Sequence, residues 1–181
     1  MAETPTPCLL DARQVEVQLQ RVCREIAAAF GNTDSLALVG IRTRGLYLAE
    51  RLAAMLREVL RKDIPLGILD ITLYRDDLSE LTGSPIVRPT EIPFTLRERT
   101  VVLVDDVIFT GRTIRAAMEA LLDHGRPDRI WLAVLADRGG RQLPIQPDFI
   151  GLKLEVPPYQ RVAVKVKEVD GVDGVFLEAR A

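Results

Sequence analysis

The chain has 181 residues, of which 48% are hydrophobic and 28% charged, and this composition excludes a wholly disordered protein. Lys and Arg number 24 against 26 Asp and Glu, so the net charge of -2 does not by itself suggest a nucleic-acid binder, although a local basic patch remains possible. His124 is the single histidine, which nearly excludes sites that need a histidine cluster and most triads of the Ser-His-Asp or Cys-His type.

No membrane or export segment stands out in the sequence. The longest apolar runs fall far short of the roughly 20 residues that cross a bilayer. The N-terminus, MAETPTPCLL, carries an acid and two prolines where a signal peptide would carry basic residues and an apolar block. Cys8 and Cys23 have no metal-ligand spacing, and Cys23 fits a reduced, buried cysteine. We therefore expect a cytoplasmic protein without membrane contact.

Helical and strand patterns alternate along the chain. The first half predicts a helix from Asp11 to Gly31, with Gln14 as the capping-box partner of Asp11, and then a strand over 36–40. A second helix is predicted from about Gly45, followed by a strand over 66–73. The apolar face of this second helix consists of Leu48, Leu52, Met55, Leu56 and Val59. The second half predicts strands over 101–104 and 129–136 with a helix between them. The inward face of that helix consists of Ile114, Ala117, Met118, Leu121 and Leu122. A further strand is marked by Val162, Val164 and Val166, and a turn over 170–174 precedes a last short strand. The polar stretch 74–94 is too long for an idle connection and indicates a mobile functional loop. The alternation predicts an α/β fold, a mostly parallel sheet with helices on both faces.

The segment VVLVDDVIFTGRT, residues 101–113, is the most informative part of the sequence. It reads as an apolar strand, two carboxylates, a short loop and the start of a helix. Ligands of open α/β sheets bind at the carboxyl ends of strands, and a helix N-terminus offers free N–H donors to an anion. Thr110, Gly111 and Thr113 can therefore wrap a phosphate, while Asp105 and Asp106 suit vicinal hydroxyls or a divalent cation. This combination indicates a ribose 5-phosphate; the simpler interpretation makes the acids ordinary loop residues and Thr110 a helix cap.

The same segment resembles the signature for 5-phosphoribosyl 1-pyrophosphate (PRPP) binding of the type I phosphoribosyltransferases. That resemblance implies a single phosphoribosyltransferase domain over residues 1–181, with a mostly parallel twisted sheet flanked by helices, a small hood and a flexible loop over about 74–94. The hood and base pocket would come partly from residues 137–160.

Three further segments are similar to one branch of that family, the proteins that combine uracil phosphoribosyltransferase activity with attenuation of pyrimidine operons. They are GIRTRG at 40–45, LDITLYRDDL at 69–78 and RPDRIWLAVLADRGGRQLPI at 126–145. The chain departs from that branch in GLKLEVPPYQR, residues 151–161, and has Gly140 where the branch leads us to expect His.

The resemblance implies a role for each matching residue. Catalytic roles are implied for Arg44, Arg75, Asp105 and Asp106. Binding of PRPP and UMP is implied for Thr43, Arg44, Asp105, Asp106, Val107, Ile108, Phe109, Thr110, Gly111, Arg112, Thr113, Arg138 and Val156. Mg²⁺ would be the cofactor, bound through substrate oxygens and without a dedicated set of protein ligands.

The implied partners are uracil, PRPP, UMP and the leader mRNA of a pyrimidine operon, and the implied assembly is a homodimer or homotetramer. Clustered cations are needed to contact RNA phosphates, and the candidates are Arg21, Arg24, Arg141 and Arg161. Such arginines are equally typical of a solvated protein face. Two alternatives therefore stay open: a phosphoribosyltransferase without RNA regulation, and a weak enzyme that mainly senses UMP and binds RNA.

Overall fold

A computed structural model of the chain describes residues 7–31, 33–76, 87–157 and 159–179. The strands are β1 (Cys8–Leu10), β2 (Leu36–Ile41), β3 (Leu66–Leu69), β4 (Thr100–Ile108), β5 (Arg129–Asp137), β6 (Phe149–Lys153), β7 (Gln160–Lys165) and β8 (Gly174–Ala179). The helices are α1 (Ala12–Phe30), α2 (Arg44–Leu60), α3 (Arg112–Asp123) and the short α4 (Lys167–Asp170), with a 3₁₀ helix at Thr72–Tyr74. None of the helices in this described part is long and apolar enough to cross a membrane.

The predicted capping of the first helix is confirmed. The Asp11 carboxylate accepts the Gln14 N–H at 2.8 Å, and the Gln14 side chain accepts the Asp11 N–H at 2.9 Å. These two bonds satisfy donors that every helix start leaves unpaired. The helix ends at Gly31, whose φ of 50° is a conformation that side chains rarely adopt.

Five parallel strands form the main sheet in the order β3-β2-β4-β5-β6. Alternate residues of these strands face opposite sides, because the side-chain period of a strand is two. On one side, Leu36, Leu38, Val102 and Val104 pack with α1 and α2; on the other, Val39, Ile41, Val101 and Leu103 pack with α3. The type I phosphoribosyltransferase architecture expected from the sequence is therefore present, with helices on both faces.

A second, antiparallel sheet has the order β1-β8-β7, and we call this sheet, together with α4 between β7 and β8, the hood. Of the described residues in the segment 137–160 that was predicted to contribute to the hood, only Gln160 belongs to it. The predicted alternation in this region is confirmed, since Val162, Val164 and Val166 are buried. The sequence pattern did not reveal β1, which is three residues long and pairs with β8 at the far end of the chain.

Three details of the prediction were wrong, and a fourth is untested. β3 ends at Leu69, because the chain turns there and the Thr72 N–H binds the Asp70 carboxylate at 2.7 Å. β4 continues to Ile108, because it stays paired with β5 beyond the two aspartates. Val59 and Leu122 are about half exposed, since both lie in the last turn of their helix. Part of the predicted flexible loop, residues 77–86, lies outside the described residues.

Candidate functional site

A cleft of about 450 Å³ opens where β2, β3 and β4 end, at the carboxyl edge of the main sheet. This is the edge at which open α/β sheets bind ligands. The residues that line it are Arg42, Thr43, Arg44, Asp70, Ile71, Thr72, Arg75, Arg88, Asp105, Asp106, Val107 and Thr113. Most of the residues predicted for catalysis and for the pyrophosphate site thus meet in one place, although they come from three separate parts of the chain.

The two adjacent carboxylates lie on the floor of the cleft, inside β4 rather than after it. Each is held by the backbone that follows it: the Asp106 N–H binds the Asp105 carboxylate at 2.9 Å, and the Val107 N–H binds the Asp106 carboxylate at 2.9 Å. Burial raises the pKa of Asp105 well above its usual range, and the neighbouring Asp106 charge raises it further. Burial also raises the pKa of Asp106, against the opposing effect of its hydrogen bonds and of the Arg44 charge. Buried acceptors of this kind favour a ligand that brings hydroxyl donors or a cation.

The predicted phosphate loop connects β4 to α3. Gly111 precedes the helix with a φ of 92°, and the Thr110 hydroxyl accepts the Arg112 N–H at 3.3 Å. The carbonyl of Thr110 accepts the N–H groups of Gln142 and Leu143 at 2.9 and 3.2 Å, which ties the loop to the segment after β5. The N-terminus of the twelve-residue α3 therefore faces a loop of fixed shape, an arrangement that suits an anion.

Not all the predicted substrate-binding side chains point to this cleft. Ile108 is buried in the core beside α3, and Val156 packs against the core below the hood. The Arg112 guanidinium binds the carboxylate of Asp76 and the Gln142 side chain. For these residues, the side chain has a structural contact of its own.

Arg138 lies beneath the phosphate loop rather than in the cleft. Its guanidinium carbon is 4.0 Å from the centre of the Phe109 ring, and its Nη1 donates to the carbonyl of Gln160 at 3.1 Å. Gly140 has a φ of 77°, and a Cβ atom there would stand 2.4 Å from the Phe109 ring. The glycine that departs from the family pattern is thus the residue that this position of Phe109 requires.

Arg44 is a hydrogen-bonded arginine at the edge of the cleft. Its Nε and Nη2 donate to the Asp170 carboxylate at 3.0 and 2.7 Å. A second cleft of about 290 Å³ adjoins the first, and Arg44, Asp106 and Val107 line both. The remaining lining residues of the second cleft come from the hood: Arg161, Val162, Ala163, Val164, Lys165 and Glu178.

The four arginines predicted for RNA lie in three separate parts of the chain, with Arg21 and Arg24 both on α1. Arg21 donates to the carbonyls of Ile150 and Gly151 at 2.7 and 2.6 Å, which covers the unpaired edge of β6. Arg24 is exposed on α1. Arg141 is largely buried.

Arg141 and Arg161 each bind an acidic side chain. The Arg141 guanidinium binds the Asp137 carboxylate at 2.8 Å and the carbonyls of Ile145 and Phe109 at 2.9 Å each. Arg161 binds Glu178 at 2.6 Å at the rim of the second cleft. The role of these four residues in RNA binding stays a prediction.

Five residues that line the cleft were not predicted from the sequence, and three of them are charged: Arg42, Asp70 and Arg88. Burial alone would raise the pKa of Asp70, but hydrogen bonds from the Thr72 and Arg88 N–H groups lower it, so the carboxylate stays charged. The buried Nε of Arg42 has no hydrogen-bond partner among the described residues. Asp70 was missed because it lies inside the predicted strand 66–73, whereas β3 ends at Leu69 just before it. Arg88 gives no signal, because it lies in the polar stretch.

Comparisons with known proteins agree with this geometry. Residues 9–169 match the family described as phosphoribosyl transferase domain. Proteins named Bifunctional protein PyrR are similar over nearly the whole chain: the one from Deinococcus deserti is 53% identical over 96% of this chain and 94% of its own. The one from Thermus thermophilus is 53% identical over 95% of both chains.

Solved structures extend the comparison to the fold alone. The hypoxanthine phosphoribosyltransferase of Trypanosoma cruzi is 14% identical and superposes with a TM-score of 0.70 over 96% of this chain and 97% of its own. A structure of the same enzyme in complex with the product IMP has a TM-score of 0.71 at 12% identity, over 99% of this chain and 92% of its own. The family match and the full-length similarity lead to one conclusion: the chain belongs to the phosphoribosyltransferase family, and within it to the bifunctional PyrR proteins.

Proposed function

We propose that the chain transfers the phosphoribosyl group of PRPP to uracil, giving UMP and pyrophosphate, with residues 1–181 acting as one phosphoribosyltransferase domain. The observation that carries the proposal is the single cleft that contains both a buried carboxylate pair and the start of α3. A sugar hydroxyl pair and a 5-phosphate need these two kinds of partner about one ribose apart. The similarity to bifunctional PyrR proteins supports uracil as the base.

The carboxylates of Asp105 and Asp106 accept the ribose hydroxyls, and the loop ending at Gly111 wraps the 5-phosphate with its N–H groups. Carboxylates suit hydroxyls because they are acceptors only, whereas a phosphate would be repelled by them. Thr113 completes the phosphate site from the first turn of α3.

Pyrophosphate binds on the side of the cleft where four arginines gather: Arg42, Arg44, Arg75 and Arg88. The remaining donors of Arg44 are available to its oxygens. Leaving-group charge develops as the bond to C1 of ribose breaks, and the arginine cations of the cleft stabilise it. The reaction requires no nucleophilic side chain and no catalytic histidine, and the described residues that line the cleft include no histidine, serine or cysteine.

Mg²⁺ is the cofactor we propose, in line with the acidic floor of the cleft. The described residues hold no group of three or more potential metal ligands, so the ion would be bound mainly by substrate oxygens, with Asp105 and Asp106 nearby. When bound, it neutralises part of the pyrophosphate charge.

The base enters the second cleft, below the hood. That cleft adjoins the carboxylate pair through Asp106 and is lined by β7, including Lys165, which also lies 5.0 Å over the Phe176 ring. Because the strand contributes backbone as well as side chains, it can offer hydrogen bonds to the edge of a flat pyrimidine.

A comparison of bases tests the enzymatic proposal. Phosphoribosyl transfer is measured side by side with uracil, orotate, hypoxanthine and guanine at saturating PRPP and Mg²⁺. Uracil should give the highest kcat/KM by orders of magnitude. A purine as the best substrate would overturn the assignment of the base. No transfer to any base would favour the hypothesis of an RNA-binding regulator over that of an enzyme.

We propose a second function, UMP-responsive binding to the leader RNA of a pyrimidine operon, which attenuates transcription. The similarity to proteins named bifunctional supports it, and Arg24 is an exposed cation on α1 that can reach a phosphate. With a net charge of -2, binding must rely on local clusters of cations. A homodimer or homotetramer would bring such clusters from different subunits together. Sedimentation measures which of these assemblies forms.

Titrations of leader RNA at two salt concentrations, with and without UMP, test this function. The double change of Arg21 and Arg24 to Ala should weaken binding and lower the salt slope by up to about 2. Uracil transfer should survive, since α1 lies outside both clefts. Arg57→Ala, an exposed arginine on α2, is the matched control and should change nothing. Equal curves for the double variant and the control would remove these two arginines from the RNA surface.

A further inference from the structure

The carboxylate that holds Arg44 comes from the hood, not from the main sheet. Arg44 is the first residue of α2, and Asp170 is the last residue of α4. The pair is bidentate, with Nε to Oδ2 at 3.0 Å and Nη2 to Oδ1 at 2.7 Å. Asp170 is itself fixed, because its Oδ2 accepts the Val166 N–H at 2.9 Å. The guanidinium is therefore held by a carboxylate that cannot easily turn away.

The position of Arg44 makes this contact important for both clefts. Arg44 shares with Asp106 and Val107 the place where the two clefts join. A guanidinium has five N–H donors, and Asp170 accepts two of them, so three remain for a ligand. The bidentate contact fixes the plane of the guanidinium and therefore the direction of its remaining N–H donors.

We propose that Asp170 is a positioning residue that aims the free donors of Arg44 at the pyrophosphate group of PRPP. The inference rests on the proposed function, because it assumes that Arg44 binds pyrophosphate. Without the carboxylate, the side chain would keep its charge but gain rotational freedom, and part of the binding energy would be lost in ordering it again. The hydrogen bond from Arg44 lowers the pKa of Asp170, so the contact persists at neutral pH.

A neighbouring ion pair provides a matched control. Arg51 lies two turns further along α2 and donates through Nε and Nη2 to the Glu168 carboxylate at 3.0 and 2.7 Å, the same atoms and distances as in the Arg44 pair. It too joins α2 to the hood, but neither Arg51 nor Glu168 lines a cleft. Arg51 also donates to the Asp173 carboxylate at 2.8 and 3.1 Å, so the control must change both acceptors. If Asp170 merely fastened the hood, Asp170→Asn and the double change Glu168→Gln with Asp173→Asn would have similar effects.

The experiment compares these two variants in melting temperature, kcat, KM for PRPP and KM for uracil. Asp170→Asn should raise KM for PRPP about tenfold or more and lower kcat, with KM for uracil within about threefold of wild type. The double change Glu168→Gln with Asp173→Asn should leave all three kinetic constants within about twofold. Kinetic changes of equal size in both variants, or none in Asp170→Asn, would overturn the positioning role.

Two more variants keep the inference separate from the proposed function. Arg44→Ala should raise KM for PRPP at least as much as Asp170→Asn, and the two changes combined should cost no more than Arg44→Ala alone. An unchanged Arg44→Ala would refute the pyrophosphate role of Arg44 itself, whereas an impaired Arg44→Ala beside a normal Asp170→Asn would refute only the positioning. Should Asp170→Asn fold poorly, Asp170→Glu keeps the charge and shifts the carboxylate by one methylene; a raised KM for PRPP supports the inference, and wild-type kinetics contradict it.

Discussion

Gly45 lies where α2 begins and where this helix crosses β4 next to the carboxylate pair. A Cβ atom at this position would stand 2.4 Å from the carbonyl oxygen of Val104 and 3.0 Å from the Cα of Asp105. Both contacts are with backbone atoms, which cannot move aside as a side chain can. Gly45→Ala should therefore push the start of α2, and with it Thr43 and Arg44, away from Asp105.

The size of the effect follows from this contact. Restoring an ordinary contact of about 3.5 Å requires a displacement of roughly 1 Å. Overpacking against a rigid backbone costs about 2–3 kcal/mol, and Ala recovers about 1 kcal/mol through its higher helix propensity. A net loss of about 1–2 kcal/mol should lower Tm by roughly 2–8 °C in a chain of this length. A displacement of about 1 Å in a catalytic site lowers kcat/KM by 10-fold to 100-fold.

Thermal unfolding and phosphoribosyl transfer to uracil, measured on the same preparation, provide the assay. Ala54→Gly is the control, because Ala54 is exposed on the same helix and its replacement changes only helix propensity. It should lose about 1 kcal/mol of stability without a change in activity. A Gly45→Ala variant that is as stable as wild type or more so, with unchanged kcat/KM, would refute the close contact between α2 and β4.

Three further outcomes follow from contacts of single residues. Burial raises the pKa of Asp105, so stability falls as pH rises from the usual carboxyl pKa of about 4 toward that raised pKa. The Tm advantage of Asp105→Asn over wild type should therefore grow as pH rises above about 4, and a difference independent of pH would contradict this. Gly111→Val places a branched side chain at a φ of 92° beside the phosphate site and should abolish PRPP binding in calorimetry, where unchanged affinity would count against the loop. Arg21→Ala leaves two carbonyls of β6 without their donor, so it should lower the free energy of unfolding in urea by about 1 kcal/mol. Arg24→Ala should lower it by about 0.5 kcal/mol or less. Equal urea midpoints for the two variants would show that the edge contact is unimportant.

The local patterns of the sequence predicted the elements and the central motif well. Residues 101–113 combine an apolar run, two acids and a glycine before a helix, and each part depends on neighbours in sequence. The upper end of β4 could not be predicted in the same way, because strand pairing with β5 decides whether polar residues such as Asp105 continue a strand.

Contacts between distant parts of the chain account for what the sequence did not reveal. Arg141 reads as a surface arginine, but its acceptors include the carbonyl of Phe109, 32 positions away. Asp170 lies 126 positions from Arg44, and only the hood brings them together. Arg88 reaches the cleft through its N–H bond to Asp70, which no local periodicity encodes.

The most direct test of the carboxylate and phosphate-loop site is a calorimetric titration of PRPP, in the presence of Mg²⁺, into wild type and Asp106→Asn. The amide replaces an acceptor-only group by one that also donates, so one ribose hydroxyl loses its partner while the fold is kept. We expect one PRPP site per chain in wild type and an affinity at least about tenfold lower in the variant, with a similar Tm. Equal affinities in two equally stable proteins would contradict the assignment of the ribose site to this pair.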